Sequence, residues 1–368
     1  MKDMVKDRIT RRKLLKLGGA GLAGVTLSDP VLGKSGDYVE VPRAKNRNGV
    51  TETRLVPKEW YRHLQRVLEM MNRRRHTLHN PGVLETSVVR SNTKFGGVRG
   101  FEIEIGVDPE GVNGKIPHDL DGIPINTITV GEQIPLNCRT NMGEYSSIPG
   151  GVDGNGGTTT CMVYWNGYEP RIMNAAHTFD IDSNCNLDSG ETDFHQGSYE
   201  PSDPEGEITQ YDTEADWALA KITANDTTYS DKIKTVFDSY PVHDIMSETE
   251  VAWLMDEYEH VYKMGKVTGT TNGIIDKMNR YYYSGCITME GKGIHVTADA
   301  AEGDSGGPGY IYRDVDGDGN DEIRLVNFVS VGPAGYEDGW ECDGSSRKYD
   351  RYVGTAFYYL NNKWGIAV

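Results

Sequence analysis

The chain reads as an all-β protein preceded by a small α/β region. Short apolar segments separated by Gly, Asn and Asp run from Ile148 to the end, and the chain holds 44 glycines. Such spacing of turn residues belongs to barrels and sandwiches. Only two helical patterns stand out, over Pro57–Arg75 and Glu248–His260. At 368 residues, 37% of them hydrophobic, the chain has material for two or three domains with real cores.

Taken in order, residues 1–35 read as a twin-arginine-type signal region. Thr10-Arg11-Arg12-Lys13-Leu14-Leu15-Lys16 resembles the twin-arginine motif, and Leu17–Leu27 supply a Gly/Ala-rich apolar run. That run falls short of the ~20 residues that span a bilayer, so it is a leader rather than an anchor. The twin-arginine export machinery is the expected partner and the extracellular space the expected destination, with no stable membrane anchor.

Residues 36–140 form the N-terminal region. Trp60, Leu64, Val67, Leu68 and Met71 recur at helical spacing, which predicts an amphipathic helix with a basic outer face. Arg73-Arg74-Arg75 reads as a solvated helix end in preference to a processing site. Ser87–Arg90, Phe101–Val107 and Ile123–Val130 read as strands broken by Gly and Pro.

The net charge of -17 is uneven. Residues 1–85 hold 18 Lys/Arg against 9 Asp/Glu, and residues 86–368 hold 20 against 46. So acidic a region excludes nucleic acid and anionic membrane as partners. It is also the composition of proteins that stay soluble in concentrated salt.

Beyond residue 140, Thr158–Trp165 and Arg171–Ala176 are the strands expected to lead to His177. Ser247 with Glu250 forms a capping-box pattern, and Val251, Leu254, Met255 and Tyr258 share one face behind it. Tyr281-Tyr282-Tyr283 reads as barrel packing.

The chemistry centres on Gly303-Asp304-Ser305-Gly306-Gly307-Pro308. Glycines on both sides permit the tight bend that exposes a serine oxygen and aims amide N–H groups at a developing oxyanion. A nucleophilic serine needs a base, and the base needs an orienting carboxylate. Asn174-Ala175-Ala176-His177-Thr178 and Asp216-Trp217-Ala218-Leu219-Ala220 lie upstream, in the order His, Asp, Ser.

On these stretches the sequence resembles the trypsin/chymotrypsin-like serine protease family, whose patterns are T-A-A-H-C, D-[IV]-A-[LV]-[LV] and G-D-S-G-G-P. The third is intact; the others depart at Asn174, Thr178, Trp217 and Ala220, none a catalytic position. Val261–Gly269 is similar to a second-barrel strand of secreted microbial members. The resemblance covers residues 145–368 and implies two six-stranded antiparallel barrels in a protease domain of residues 141–368. It places His177 and Asp216 on the first barrel and Ser305 on the second. The capping box and apolar face predict a helix over Glu248–His260, expected between the barrels.

The implied activity is a serine endopeptidase acting on protein or peptide substrates, with no cofactor for catalysis. His177 is the expected base, Asp216 its orienting carboxylate, and the N–H groups of Gly303 and Ser305 the oxyanion hole. Asp304 is expected to pair with a buried cation once the enzyme is mature. Asp299, six residues before Ser305, takes the place of the aspartate at a trypsin-like pocket floor, which implies preference for Arg or Lys before the cut. Ser330-Val331-Gly332 resembles the pocket wall. Position makes residues 36–140 a candidate propeptide. A non-catalytic binding module on the same scaffold and a serine esterase are the alternative readings.

Cys138, Cys161, Cys185, Cys286 and Cys342 suit an exported protein. The family's cysteine after the catalytic histidine is absent. Cys161–Cys185 and Cys286–Cys342 are the expected pairs, leaving Cys138 free, although five cysteines allow many other arrangements. Finally, Asp314, Asp316, Asp318 and Glu322 lie in a D-x-D-G-D-G loop between strands Gly309–Tyr312 and Ile323–Ser330. Hard oxygen ligands around a glycine turn suit structural calcium, and a solvated hairpin tip is the alternative. Asp180–Asn184 is a weaker pattern of the same kind.

Overall fold

A two-residue turn at Arg47-Asn48 joins strand β1 (Tyr38–Asn46) to strand β2 (Gly49–Pro57), where Gly49 takes φ 121°. Gly49 opens β2 in a conformation that favours glycine, and this hairpin was not among the expected strands. The computed structural model describes residues 36–368 except 79–82, 108–115, 130–132, 136–144, 183, 189–191, 198–203, 236–237, 283–284, 315–319 and 334–347. The chain divides into a unit of residues 1–37 and a unit of residues 38–368, and every described strand and helix belongs to the second.

Helix α1 (Lys58–Leu78) follows β2, and all five periodic residues, Trp60, Leu64, Val67, Leu68 and Met71, are buried. It packs on β3 (Val83–Phe95) and β4 (Val98–Val107), with Trp60 Nε1 donating to the Arg99 carbonyl at 2.9 Å. Three short strands follow, β5 (Asp119–Leu120), β6 (Ile123–Thr129) and β7 (Gln133–Pro135).

The first barrel is built from β9 (Asp153–Gly154), β10 (Gly157–Thr158), β11 (Met162–Trp165), β12 (Glu169–Asn174), β13 (Asp193–Phe194), β14 (Gly206–Asp212) and β15 (Trp217–Ile222), after β8 (Ser147–Gly150). Five of them form a sheet in the order β11-β12-β15-β14-β13. A bridge between Gly154 and Gln196 carries the sheet on to β9 and β10, and hydrogen bonds linking Thr160 and Cys161 to Met173 return it to β12. Ile172, Phe194, Ala218 and Ala220 fill its interior.

The second barrel follows β16 (Thr228–Lys234) and β17 (Ser239–Met246). It uses β18 (His260–Gly265), β19 (Gly269–Tyr282), β20 (Gly293–Val296), β22 (Pro308–Arg313), β23 (Glu322–Phe328) and β26 (Tyr352–Thr355). Their pairings run β18-β19-β20-β26, then β23 through the Asn327–Ala356 bridge, then β22 and back to β18, all antiparallel. This is a closed circuit of six strands. β21 (Ala300–Ala301), β24 (Val331–Pro333), β25 (Lys348–Tyr349) and helix α3 (Phe357–Trp364) complete it. A third apolar cluster joins the barrels, with Val163, Met173 and Leu219 from the first meeting Tyr310, Leu325 and Phe328 from the second.

The N-terminal α/β region is continuous with the second barrel. β3 pairs with β19, β1 with β17 and β7 with β24. Its apolar residues share one cluster with Ile275, Ile294, Val296 and Val326. Buried ion pairs cross the same boundary. Glu85 meets Arg280 and Lys277, and Glu250, 1% exposed, meets Arg43 at 2.8 Å and Arg54 at 3.0 Å.

Helix α2 (Glu248–Glu257) starts as expected, with the Ser247 hydroxyl accepting from the Glu250 N–H at 3.1 Å. Glu250 does not reach back, because its carboxylate is taken by the two arginines. The helix ends three residues earlier than expected. Tyr258 adopts a left-handed conformation (φ 55°), leaves the buried face and lies under the Arg90 guanidinium, 3.7 Å from it. α2 packs on β1 and β19, and its buried residues join the cluster of the N-terminal region rather than the seam between barrels.

Cysteine pairing also differs from expectation. Cys185 is bonded to Cys286, with Cα atoms 5.4 Å apart, and ties a first-barrel loop to the second barrel. Cys161 is a free, fully buried thiol whose pKa burial pushes up. It sits in the apolar seam, while Cys185 is taken by Cys286. Cys138 and Cys342 lie outside the described residues. No described helix is long and apolar enough to cross a membrane.

The Glu250 cluster yields a stability prediction. Glu250→Ala leaves the Arg54 guanidinium buried without its carboxylate and should cost about 3 kcal/mol, read from the urea midpoint. A change under about 0.5 kcal/mol would be the size expected at an ordinary surface position and would contradict the burial argument.

Candidate active site

β12 delivers Asn174, and the chain then turns through a 3₁₀ segment, Ala176–Thr178, that carries His177. Asp216 stands just before β15 with φ 60°, a conformation that Asp tolerates better than most residues. Its carbonyl accepts from the Ala176 N–H at 3.1 Å, so two segments far apart in sequence are locked together. Its carboxylate is fully buried. It accepts from the His177 backbone N–H at 3.0 Å, and both its oxygens lie 2.9 Å from His177 Nδ1. The opposite ring nitrogen, Nε2, is 2.9 Å from Ser305 Oγ. Three residues, with His177 and Ser305 128 positions apart in the chain, thus form one continuous hydrogen-bonded line.

With Nδ1 facing a carboxylate, the favoured tautomer carries its proton there and leaves Nε2 free to accept from the serine hydroxyl. Ser305 sits on a bend that only glycine permits on either side: Gly303 has φ 96° and Gly306 φ 86°. A side chain at Gly306 would also collide with the Asn174 side chain and the Thr158 carbonyl. Around the bend, the N–H groups of Asp304, Gly306 and Gly307 are engaged by the carbonyls of Ala301, Val329 and Asp304. Those of Gly303 and Ser305 have no acceptor among the described residues, which suits two donors for an oxyanion.

Asp304 points inward. Its carboxylate accepts from Lys263 Nζ at 2.7 Å, the Thr268 hydroxyl at 2.5 Å, and the N–H groups of Val267, Thr268 and Ala301 at 3.0, 3.2 and 3.1 Å. Lys263 is therefore the cation expected opposite Asp304, and its side chain is fully buried. Burial pushes the Lys263 pKa down, while the Asp304 carboxylate opposes that shift.

Sequence patterns gave no sign of the first barrel's grip on this loop. The Thr158 N–H donates to the Ser305 carbonyl at 2.6 Å, and its hydroxyl donates to the Gly303 carbonyl at 2.8 Å while accepting from the Lys266 N–H at 3.0 Å. The Thr160 hydroxyl donates to the Gly306 carbonyl at 2.6 Å. Lys266 in turn forms a buried ion pair with Asp153. A lysine at Lys263, in a strand of mostly apolar and aromatic residues, and another at Lys266 just past its end were the available signal. Nothing marks Thr158 in the sequence beyond its place in a Thr run.

No family model matches the chain, and no curated protein matches it. Solved structures do. A glutamic-acid-specific serine protease, described as using a histidine triad in substrate binding, is 15% identical with a TM-score of 0.41, over 60% of this chain and 100% of that one. Protease A of Thermobifida fusca is 17% identical with a TM-score of 0.41, over 60% and 97%. Chymotrypsin of Cellulomonas bogoriensis is 14% identical with a TM-score of 0.38, over 60% and 98%. At these values the likeness carries no argument about the site, which stands on its own geometry.

The remaining expected residues fall at different places. The Ser330 carbonyl lies 3.5 Å from Ser305 Oγ, and Gly332 lies in β24 opposite Ile134. Asp299 is half-buried before β21, its carbonyl accepting from the Thr271 hydroxyl at 2.6 Å, and its charge reaches Lys263. Asp314 and Glu322 stand at the two feet of the β22–β23 hairpin, whereas Asp316 and Asp318 lie outside the described residues. Among the described residues no three His, Cys, Asp or Glu side chains cluster as metal ligands. His295, fully buried, pairs with Asp276 away from Ser305.

Thr158→Val keeps the volume but leaves the Gly303 carbonyl and the Lys266 N–H without their partner. The turnover of a peptide substrate should fall by about tenfold to a hundredfold with KM little changed, and Thr158→Ser should restore it. Equal turnover in the valine variant would show that the loop holds its shape without this residue.

Proposed function

We propose that the protein is an exported serine endopeptidase. What supports this is the line Asp216, His177, Ser305 with two N–H groups left over beside the serine. Ser305 Oγ attacks the scissile carbonyl carbon, and His177 Nε2 takes the hydroxyl proton. The N–H groups of Gly303 and Ser305 stabilise the oxyanion, each contributing on the order of 3 kcal/mol in the transition state. Collapse expels the amine, which receives the proton from His177, and leaves an acyl ester on Ser305. Water, deprotonated by His177, then releases the acid and regenerates the serine. Asp216 holds the imidazole and stabilises its charged form.

Export is proposed from the twin-arginine pattern at Thr10–Lys16. The Cys185–Cys286 bond agrees with an oxidising compartment. The acidic region beyond residue 85 supports a salty working environment. For specificity, Asp299 is proposed to favour Arg or Lys before the cut. Lys263 shares its charge, so the preference should be modest. A peptide panel varied at that one residue tests it, and a preference unaltered by Asp299→Ala would remove the idea.

Calcium is proposed at the β22–β23 loop, where Asp314, Asp316, Asp318 and Glu322 would supply hard oxygen donors. It should raise the melting temperature in low salt, and neutralising Asp316 and Asp318 should abolish the rise. Equal melting with calcium and with chelator would contradict it.

The catalytic reading is tested by substitution. Ser305→Ala and His177→Ala should each remove peptide hydrolysis without unfolding the protein. Asp216→Asn, whose side chain suits the same left-handed backbone, should lower turnover roughly 10⁴-fold through the wrong tautomer. Retained hydrolysis in His177→Ala would demand another base. Ester hydrolysis without amide hydrolysis in the wild type would favour an esterase.

A further inference from the structure

A peptide substrate reaches such a nucleophile as an extended strand, and its backbone needs a free sheet edge beside the serine. β24 is that edge. It starts one residue after Ser330, whose carbonyl is the 3.5 Å partner of Ser305 Oγ. One side of it is already paired, with Val331 opposite Val353 of β26 and the Ser330 N–H donating to the Val353 carbonyl at 3.0 Å.

The other side is taken as well. β7 runs antiparallel along it, with Pro135 opposite Val331, Ile134 opposite Gly332 and Gln133 opposite Pro333. Hydrogen-bonded and non-hydrogen-bonded pairs alternate in such a ladder, and proline has no N–H to give. Pro135 and Pro333 therefore belong to the flanking pairs. Gly332 with Ile134 is the pair that exchanges both bonds, in the manner of a bound peptide.

A latent protease can also arise from an unformed oxyanion loop, but that is not the condition of this chain. Asp304 already holds Lys263, and Thr158 already grips the carbonyls of Gly303 and Ser305. The nucleophile is assembled while its substrate edge is covered. The cover is tethered, because β3 and Glu85 of the same N-terminal region are held by β19 and Arg280 of the second barrel. A tethered strand competes at high effective concentration.

We propose that Gln133–Pro135 occupies in cis the strand position that a peptide substrate takes on β24, so that the uncut chain is a latent peptidase with a working nucleophile. This rests on the peptidase reading above. The two separate experimentally. A small alkyl fluorophosphonate needs only Ser305 and its N–H donors, whereas a peptide must displace β7.

In the full chain, Ile134→Pro removes the N–H that pairs with Gly332. KM for a peptide substrate should fall about tenfold or more, since competence no longer waits on strand release. Turnover at saturation and the rate of fluorophosphonate labelling should stay as in the wild type. Replacing Gln133–Pro135 by three glycines raises the cost of ordering the strand. It should shift KM the same way, and it carries the comparison if Ile134→Pro fails to fold by thermal melting. An unchanged KM in a folded, labelled variant overturns the proposal. Absence of Ser305-dependent labelling in every form overturns the peptidase reading instead.

Discussion

A lysine and an aspartate buried together are tolerated only when nearly every proton and lone pair finds a partner. Asp304 and Lys263 meet that condition. Both side chains are fully buried, and four further donors converge on the carboxylate from Thr268, Val267 and Ala301. The loop between Ala301 and Gly307 has little choice of path once that carboxylate is inside. Ser305 is the next residue, so its orientation toward His177 follows from a neighbour that points the opposite way. The cation comes from within the folded chain, on β18, and no new terminus has to be created to supply it.

The same loop has to be registered against the other barrel within a few tenths of an ångström, since His177 and Asp216 belong there. Thr158 and Thr160 perform that registration through three backbone carbonyls. The apolar seam around Met173, Leu219, Tyr310 and Phe328 and the Cys185–Cys286 bond hold the barrels at a fixed separation. On its far side the second barrel shares its core with the N-terminal region, and Glu85, Glu250, Arg43 and Arg280 are buried across that boundary. Removing the region would expose charges and apolar surface together.

Much of this was legible. The period of Trp60, Leu64, Val67, Leu68 and Met71 marks α1 because one face of a helix must be apolar to pack, and Gly303 and Gly306 mark the bend because no other residue accepts their φ. What was not legible depends on partners far away in the chain. The Cys185–Cys286 pair is unreadable because spacing says nothing about which loops meet across two barrels. Lys263 hides as one cation among many, and Thr158 acts through backbone carbonyls that leave no pattern of residue types. The strands around Val88 and Ile105 were visible, but not their pairing with β19, because strand partners are chosen by tertiary register rather than by alternation. Tyr258 shows the same limit on a smaller scale: its periodicity fits α2, and a left-handed turn removes it.

The dependence of Ser305 on the buried pair is open to direct measurement by mass spectrometry of a fluorophosphonate adduct on its hydroxyl, with the rate taken per folded molecule. The full-length wild type should label, and Lys263→Met, with Asp304 left without its cation, should label at least about a hundredfold more slowly. Equal labelling rates in the two folded proteins would contradict a role for the Asp304–Lys263 pair in shaping the bend that carries Ser305.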